Sequence, residues 1–403
     1  MLPEAFIRGL SEELGPDRAR TVLDALSGEP SVSVRLNPAK LTACPFPDAE
    51  RVPWSPYGYL LKERPNFTLD PLFHAGCYYV QDSSAMFVGE LFRRALDGFG
   101  PGVTVLDLCA APGGKTTDLA ASLREAFGDA FLLVSNEVMR QRAGVLSDNV
   151  AIWGDPNVVV TSVDPAAFAR MPGFFDCIVA DVPCSGEGMF RKNPRAEAEW
   201  SEETVDLCAA RQKRILADAW PSLRQGGLLV YSTCTFEQKE NDDNLEWAAS
   251  ELGGEILSPQ SGFDAVTLTP RGHRLDISDT GEGQWVGALV RTSATPAGKC
   301  LPLRDLHPLR EGVRKGEMKG KDFIPDPDYA LSMVFDKNDY PCVEVDRMTA
   351  LAFLHRDTLV LPDAPTGYIA ITYEGLPLGF VKNLGRRCNN LHPQGRRILM
   401  DIR

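Results

Sequence analysis

The stretch Val105-Leu-Asp-Leu-Cys-Ala-Ala-Pro-Gly-Gly-Lys115 constrains the fold more than any other part of the chain. Thr104 to Leu108 is a short apolar run of the kind that forms a buried parallel strand. Pro112-Gly113-Gly114 demands a sharp turn, and Lys115 to Phe127 is a good helix sequence directly after it. Glycine lets backbone pass close to a ligand, and the N–H groups of a helix start face outward. Strand, glycine turn and helix in that order describe how open α/β sheets hold a nucleotide-like molecule at the carboxyl end of a strand.

Three readings are open for this turn. One is a βα connection with no ligand. The second is a phosphate loop, because Gly114-Lys115-Thr116 matches the tail of G-x-x-x-x-G-K-[ST]; that motif requires glycine where Cys109 stands. The third is a dinucleotide or S-adenosylmethionine site, which requires an acidic residue after the next strand, and Glu137 supplies it.

Downstream, strands and helices alternate. Strands are expected at Phe131–Ser135, Val158–Thr161, Phe175–Asp181 and Leu228–Ser232, with helices at about 139 onward, 202–223 and 239–252. An antiparallel pair, His273–Asp276 and Gln284–Arg291, follows. This rhythm predicts a Rossmann-like α/β domain, a mostly parallel sheet with helices on both faces, over residues 96–291. Residues 1–95 read as a small α+β N-terminal domain, 292–305 as a linker, and 306–403 as a C-terminal α+β, β-rich domain.

Net charge is −13, which argues against loose binding of nucleic acid by the whole surface. The 29 residues from Gly375 invert that balance: Lys382, Arg386, Arg387, Arg396, Arg397 and Arg403 face one acid, Asp401. An RNA-binding face is predicted there. The ten cysteines form no C-x-x-C pair, so neither zinc nor any other metal is expected. No basic leader followed by an apolar run opens the chain, and no segment approaches the roughly 18 apolar residues of a span. A cytoplasmic protein without a membrane partner is expected, and a monomer, since no coiled-coil stripe appears.

The carboxyl ends of the five parallel strands carry Cys109 to Lys115, Glu137, Asp164, Asp181 and Cys234. Asp or Glu after a strand is often only a helix cap. As ligand groups, Glu137 suits ribose hydroxyls and Asp164 an adenine amino group. If the fourth and fifth strands are neighbours, Cys184 and Cys234 meet at one rim; a cysteine alone is more often a buried structural thiol, but a pair beside a cofactor turn points to reactive chemistry.

Leu108-Cys-Ala-Ala-Pro-Gly-Gly-Lys115, Asp181-Val-Pro-Cys-Ser-Gly-Glu-Gly188 and Ser232-Thr-Cys-Thr-Phe236 together resemble the three signature motifs of the Sun-type RNA (cytosine-5)-methyltransferases. Arg35-Leu-Asn37, Gln81-Asp82 and Gly281-Glu-Gly283 resemble that family too, and the likeness covers about residues 30–291. The tail, Gly385 to Ile398, is similar to that of the bacterial ribosomal RNA small subunit methyltransferase F group, though shorter than in its longest members. Val182 stands where many relatives have a second proline; the Pro-Cys step is intact.

The resemblance implies methylation of C5 of a cytosine in RNA, most naturally 16S ribosomal RNA, with S-adenosylmethionine as cofactor. It assigns Cys234 as nucleophile, Cys184 to product release and Asp181 to the cytosine edge and the cofactor. It places S-adenosylmethionine against Cys109, Ala110, Ala111, Pro112, Gly113, Gly114, Lys115, Glu137, Asp164 and Asp181. Ribosomal RNA or the small subunit is the implied partner. Arg191, Lys192, Arg386, Arg387, Arg396 and Arg397 are candidate phosphate contacts, with Phe190 and Trp200 as candidate stacking surfaces. The rivals are an NTPase, a transfer RNA methyltransferase, a DNA or small-molecule methyltransferase, and a non-catalytic ribosome-assembly factor.

Overall fold

The computed structural model describes residues 2–402. Two short helices open the chain, α1 (Glu4–Leu14) and α2 (Pro16–Leu26), separated at Gly15, whose φ of 78° suits glycine. Then β1 (Ser33–Leu36), β2 (Glu50–Arg51), β3 (Gly58–Leu60), the short α3 (Pro71–His74) and β4 (Tyr78–Val80) build a four-stranded sheet in the order β2-β3-β1-β4. Helix α4 (Phe87–Ala95) leads from it to the centre of the molecule.

The central sheet contains β5 (Val103–Asp107), β6 (Phe131–Asn136), β7 (Val158–Thr161), β8 (Phe175–Asp181) and β9 (Leu223–Thr233) in the parallel order β9-β8-β5-β6-β7. Between them run α5 (Gly114–Phe127), α6 (Arg140–Trp153), α7 (Pro194–Glu199) and α8 (Glu202–Ala219). Ser201 caps α8 by accepting the Thr204 amide at 3.1 Å, and Glu202 and Glu203 sit in its positive first turn. The chain leaves β5 for β6 on one side and β8 on the other. The crevice for a ligand lies where that order reverses, beyond the carboxyl end of β5.

Past α9 (Asp242–Leu252), the strands β10 (Gly254–Ile256), β11 (Val266–Leu268), β12 (His273–Ser278) and β13 (Gly281–Arg291) extend the β9 side antiparallel. The expected hairpin is therefore present and longer than its apolar residues suggested. β10 and β11 were not anticipated, nor was the return of a later strand to this sheet. β14 (Arg310–Glu311) returns to the opposite edge and pairs Arg310 with Val160. A hairpin, β15 (Gly316–Lys319) with β16 (Asp322–Pro325), follows, and then a last sheet of β17 (Cys342–Glu344), β18 (Gly367–Tyr373), β19 (Leu376–Asn383) and β20 (Cys388–Asn390), packed with α10 (Arg347–His355).

Packing does not follow chain order. Val34, Leu36 and Tyr78 of the N-terminal sheet, with Cys77 just before β4, share one hydrophobic core with Leu351 and Phe353 of α10 and Ile369 and Ile371 of β18. The first two helices pack elsewhere, setting Phe6 and Val22 against Phe190, Trp200, Phe236 and Ile277. Among the described residues no helix is long and apolar enough to cross a membrane.

Candidate active site

The turn after β5 is braced from two sides. Gly113, at φ 114°, takes a conformation open to glycine, and a side chain there would press on Leu146. Arg142 donates to the Ala111 carbonyl at 2.8 Å and Asn149 to the Pro112 carbonyl at 2.8 Å, so α6 supports the turn along its length. From behind, the fully buried Arg35 donates to the Gly114 carbonyl at 3.0 Å and to Gln81 Oε1 at 2.8 Å. Arg35 and Gln81 were singled out in the sequence only by resemblance; their placement shows them holding the turn.

Three carboxylates surround the mouth. Asp107 accepts the Thr116 hydroxyl at 2.6 Å, while its other oxygen is buried without a partner. Burial pushes its pKa up to about 7. Glu137 is buried, accepts the Met139 amide at 2.9 Å and pairs with Arg142 at 3.2 Å. Asp181 faces Lys115 Nζ at 2.7 Å, and its other oxygen accepts Ser232 Oγ at 2.7 Å and Gln284 Nε2 at 3.2 Å. Burial works against the Lys115 charge, but the charge and hydrogen bond of Asp181, together with Cys234 and Asp107, hold the ammonium above its usual range. All three carboxylates bear on the Cys109 thiol, which burial first and then these charges push up. Asp164 stands apart from them: it is exposed and accepts the Ala166 amide at 3.0 Å as a helix cap.

Parallel pairing sets Asp181 opposite Ser232, so the loops that continue β8 and β9 leave side by side. Cys184 Sγ and Cys234 Sγ are 3.3 Å apart. The two loops are joined repeatedly: Gly188 N donates to the Cys234 carbonyl at 2.7 Å, Ser185 Oγ meets Thr235 Oγ1 at 2.9 Å, and Phe236 N donates to Glu187 at 2.7 Å. The hydrogen bond with Cys234, and then burial, hold the Cys184 thiol well above its usual range. Burial likewise raises Glu187, whose second oxygen accepts Trp200 Nε1 at 2.8 Å.

The candidate RNA contacts divide by exposure. Arg191 is corrected: its side chain is 2% exposed, paired with Glu282 at 2.8 Å and donating to the Ala25 and Ser278 carbonyls, so it braces the loop after Cys184 and offers no surface charge. Arg396 is corrected too, being largely buried between Asp328 and Asp148. Phe190 and Trp200 pack edge-on against Phe6 and cannot stack on bases as expected. Lys192 remains at the surface, near Asp82 and Glu282, on the wall of a cleft of about 860 Å³. Arg386, Arg387 and Arg397 are exposed; Arg403 lies outside the described residues.

A family profile described as 16S rRNA methyltransferase RsmB/F matches residues 100–265. A protein of Aeromonas salmonicida named ribosomal RNA small subunit methyltransferase F is 30% identical, covering 90% of this chain and 90% of its own length. The chain belongs to the RsmB/F family. The RsmB/F profile spans both cysteine-bearing strand ends; a profile for the RsmF N-terminal domain matches residues 2–83, which include the Arg35 and Gln81 brace, and one for the RsmF PUA domain matches 340–398. The like-named protein of Pectobacterium atrosepticum is 35% identical over 66% of this chain, and the match spans only 57% of that protein's length. Among solved structures, a methyltransferase homologue from Pyrococcus horikoshii is similar, with a TM-score of 0.59 and 26% identity over 72% of this chain and 95% of that one.

Sequence reasoning missed Gln284 and Glu240 at this site of the RsmB/F chain. Gln284 reaches it through the pairing of β13 with β9 and Glu240 from the turn that follows β9, and neither belongs to a motif that marks a reactive group.

Proposed function

We propose that this chain methylates C5 of one cytosine in RNA, a 16S ribosomal RNA, using S-adenosylmethionine and a transient bond from Cys234 to C6. The observation that carries this reading is the pair of sulfurs 3.3 Å apart at two neighbouring strand ends, next to the Asp181 carboxylate. The names of the relatives support the RNA class. The donor set suits the cofactor: carboxylates at three adjacent strand ends complement a sulfonium and an ammonium, and Asp107 keeps an oxygen without a partner. Cys109 to Lys115, Glu137, Asp164 and Asp181 would hold it.

When bound, S-adenosylmethionine supplies an electrophilic methyl group. The chain's own residues do the remainder. The Cys234 thiolate adds to C6 and makes C5 nucleophilic. Cys184, held as a thiol, shares a hydrogen bond with the Cys234 sulfur and so stands beside the bond that must later break. Asp181, fixed by Lys115, Ser232 and Gln284, is oriented toward the cytosine edge, where a carboxylate stabilises a protonated N3. The target base must leave its stack to enter. In this reading residues 96–291 are the catalytic domain, 1–95 and 306–403 contact RNA, and the protein works as a cytoplasmic monomer.

The test uses Cys234→Ala and Cys184→Ala enzymes with small-subunit RNA from cells lacking the protein. Cys234→Ala abolishes methylation. Cys184→Ala accumulates a covalent protein–RNA band on a denaturing gel. An active Cys234→Ala enzyme overturns the assignment. Bisulfite sequencing identifies the cytosine; a signal confined to transfer RNA overturns the ribosomal substrate.

A further inference from the structure

Glu240 is fully buried, six residues beyond Cys234, in the turn that precedes α9. Its carboxylate accepts the Ser185 amide at 3.1 Å and Gln212 Nε2 at 2.6 Å. Gln212, on α8, directs its other amide hydrogen to the Pro183 carbonyl at 3.1 Å. The peptide groups on both sides of Cys184 are thus tied to one buried pair. That pair is itself fixed: Asn244 Nδ2 donates to Gln212 Oε1 at 2.7 Å, and the Tyr231 hydroxyl donates to the Glu240 carbonyl at 2.6 Å. Gln212, Tyr231, Glu240 and Asn244 are all 0% exposed.

Such a group is costly. A buried carboxylate met by two neutral donors is poorly compensated for its lost hydration, and burial raises Glu240 to about 7. A methionine or leucine would fill the same volume without that cost. What an apolar side chain would not supply is an acceptor for Ser185 N. Cys234 has different support, since it directly follows β9 and its carbonyl is held by Gly188 N.

We propose that Glu240 is a positioning residue for Cys184, required for release of the methylated base and not for attack by Cys234. The proposal rests on the methyltransferase reading above. In release, the C5 proton passes to a base at this rim, the C5–C6 double bond re-forms, and the C6–S bond breaks with its electron pair returning to the Cys234 sulfur. Cys184 assists only while its loop holds it beside that bond, and drift of about 1 Å costs on the order of 100-fold in such steps.

The experiment compares full-length Glu240→Leu and Glu240→Gln with wild type, Cys184→Ala and Cys234→Ala, using S-adenosylmethionine and small-subunit RNA from cells lacking the protein. Glu240→Leu forms the covalent adduct as fast as wild type but clears it at least about tenfold more slowly. Glu240→Gln, which keeps an acceptor for the Ser185 amide, restores clearance. A structural lesion would lower adduct formation and clearance together, and that result overturns the proposal, as does wild-type clearance by Glu240→Leu. Should Glu240→Leu fail to fold, Gln212→Met cuts the anchor from the Pro183 side and must give the same persistent adduct; normal clearance by it overturns the proposal. Adduct in Cys184→Ala but none in either anchor variant defeats the proposal alone. No adduct in Cys184→Ala defeats the underlying reading as well.

Discussion

Asp107→Asn should make the protein more stable, and increasingly so as pH rises. Asp107 is wholly buried, with one oxygen bonded to Thr116 and the other to nothing. Its pKa rises from 3.8 to about 7 on folding. The folded state therefore holds a proton that the unfolded chain has already lost between those values, and stability falls as pH climbs through the window. A shift of about 3 units corresponds to about 4 kcal/mol of cost once pH exceeds 7. Between pH 5 and pH 8 the change is about 2.5 kcal/mol, because part of the cost has accrued by pH 5. Asparagine has nearly the same shape, can accept from Thr116 and does not ionise. At about 2.1 cal/mol/K of unfolding entropy per residue, the Tm advantage of Asp107→Asn should grow by about 3 °C across that range if the chain melts as one unit. Glu13 and Glu240, also raised to about 7, titrate in both proteins and cancel in the difference. The assay is thermal unfolding of both proteins at several pH values from 5 to 8. Parallel Tm curves would show that Asp107 is not ionising against its surroundings, and the argument from its unpartnered oxygen would fail.

Arg191→Ala leaves Glu282 buried without its guanidinium, so it should destabilise by about 3 kcal/mol in denaturant unfolding; an unchanged midpoint would restore Arg191 as a candidate surface contact. Arg386→Glu with Arg387→Glu should leave Tm unchanged and weaken RNA binding, with a salt-dependence slope lower by roughly 1 to 2. Equal slopes would place the RNA on another face. Gly113→Ala forces a side chain into positive φ against Leu146, and should cost about 1 kcal/mol or more while weakening S-adenosylmethionine binding in titration calorimetry.

Much of the site could be read in the chain because a parallel sheet brings its carboxyl ends to one rim. Cys109 to Lys115, Glu137, Asp181 and Cys234 each follow an apolar run, and the run locates the end. Asp164 also follows a strand as expected, and the carboxylate that the cofactor reading uses is exposed and accepts the Ala166 amide at a helix start. The basic tail could be counted but not oriented. Arg386 and Arg387 lie in an exposed turn after β19, whereas Arg396 is drawn into Asp328 and Asp148. Charge patterning along the chain cannot distinguish a cation that meets solvent from one that meets a distant carboxylate.

The sequence by itself determined the local units: an apolar run makes a strand, Pro112-Gly113-Gly114 makes a turn, and Ser201 starts a helix. It also determined which reactive atoms stand at the strand ends. Only the tertiary structure decided which ends are neighbours. Pairing of β8 with β9 puts two sulfurs within 3.3 Å, and pairing of β13 with β9 brings Gln284 to Asp181. The same long-range packing joins the first sheet and the last in one core and buries Glu240 against the Ser185 amide. The reason is physical: strand and turn preferences act over a few residues, while partners far apart in sequence are chosen by hydrophobic burial and by the need to satisfy every buried polar group.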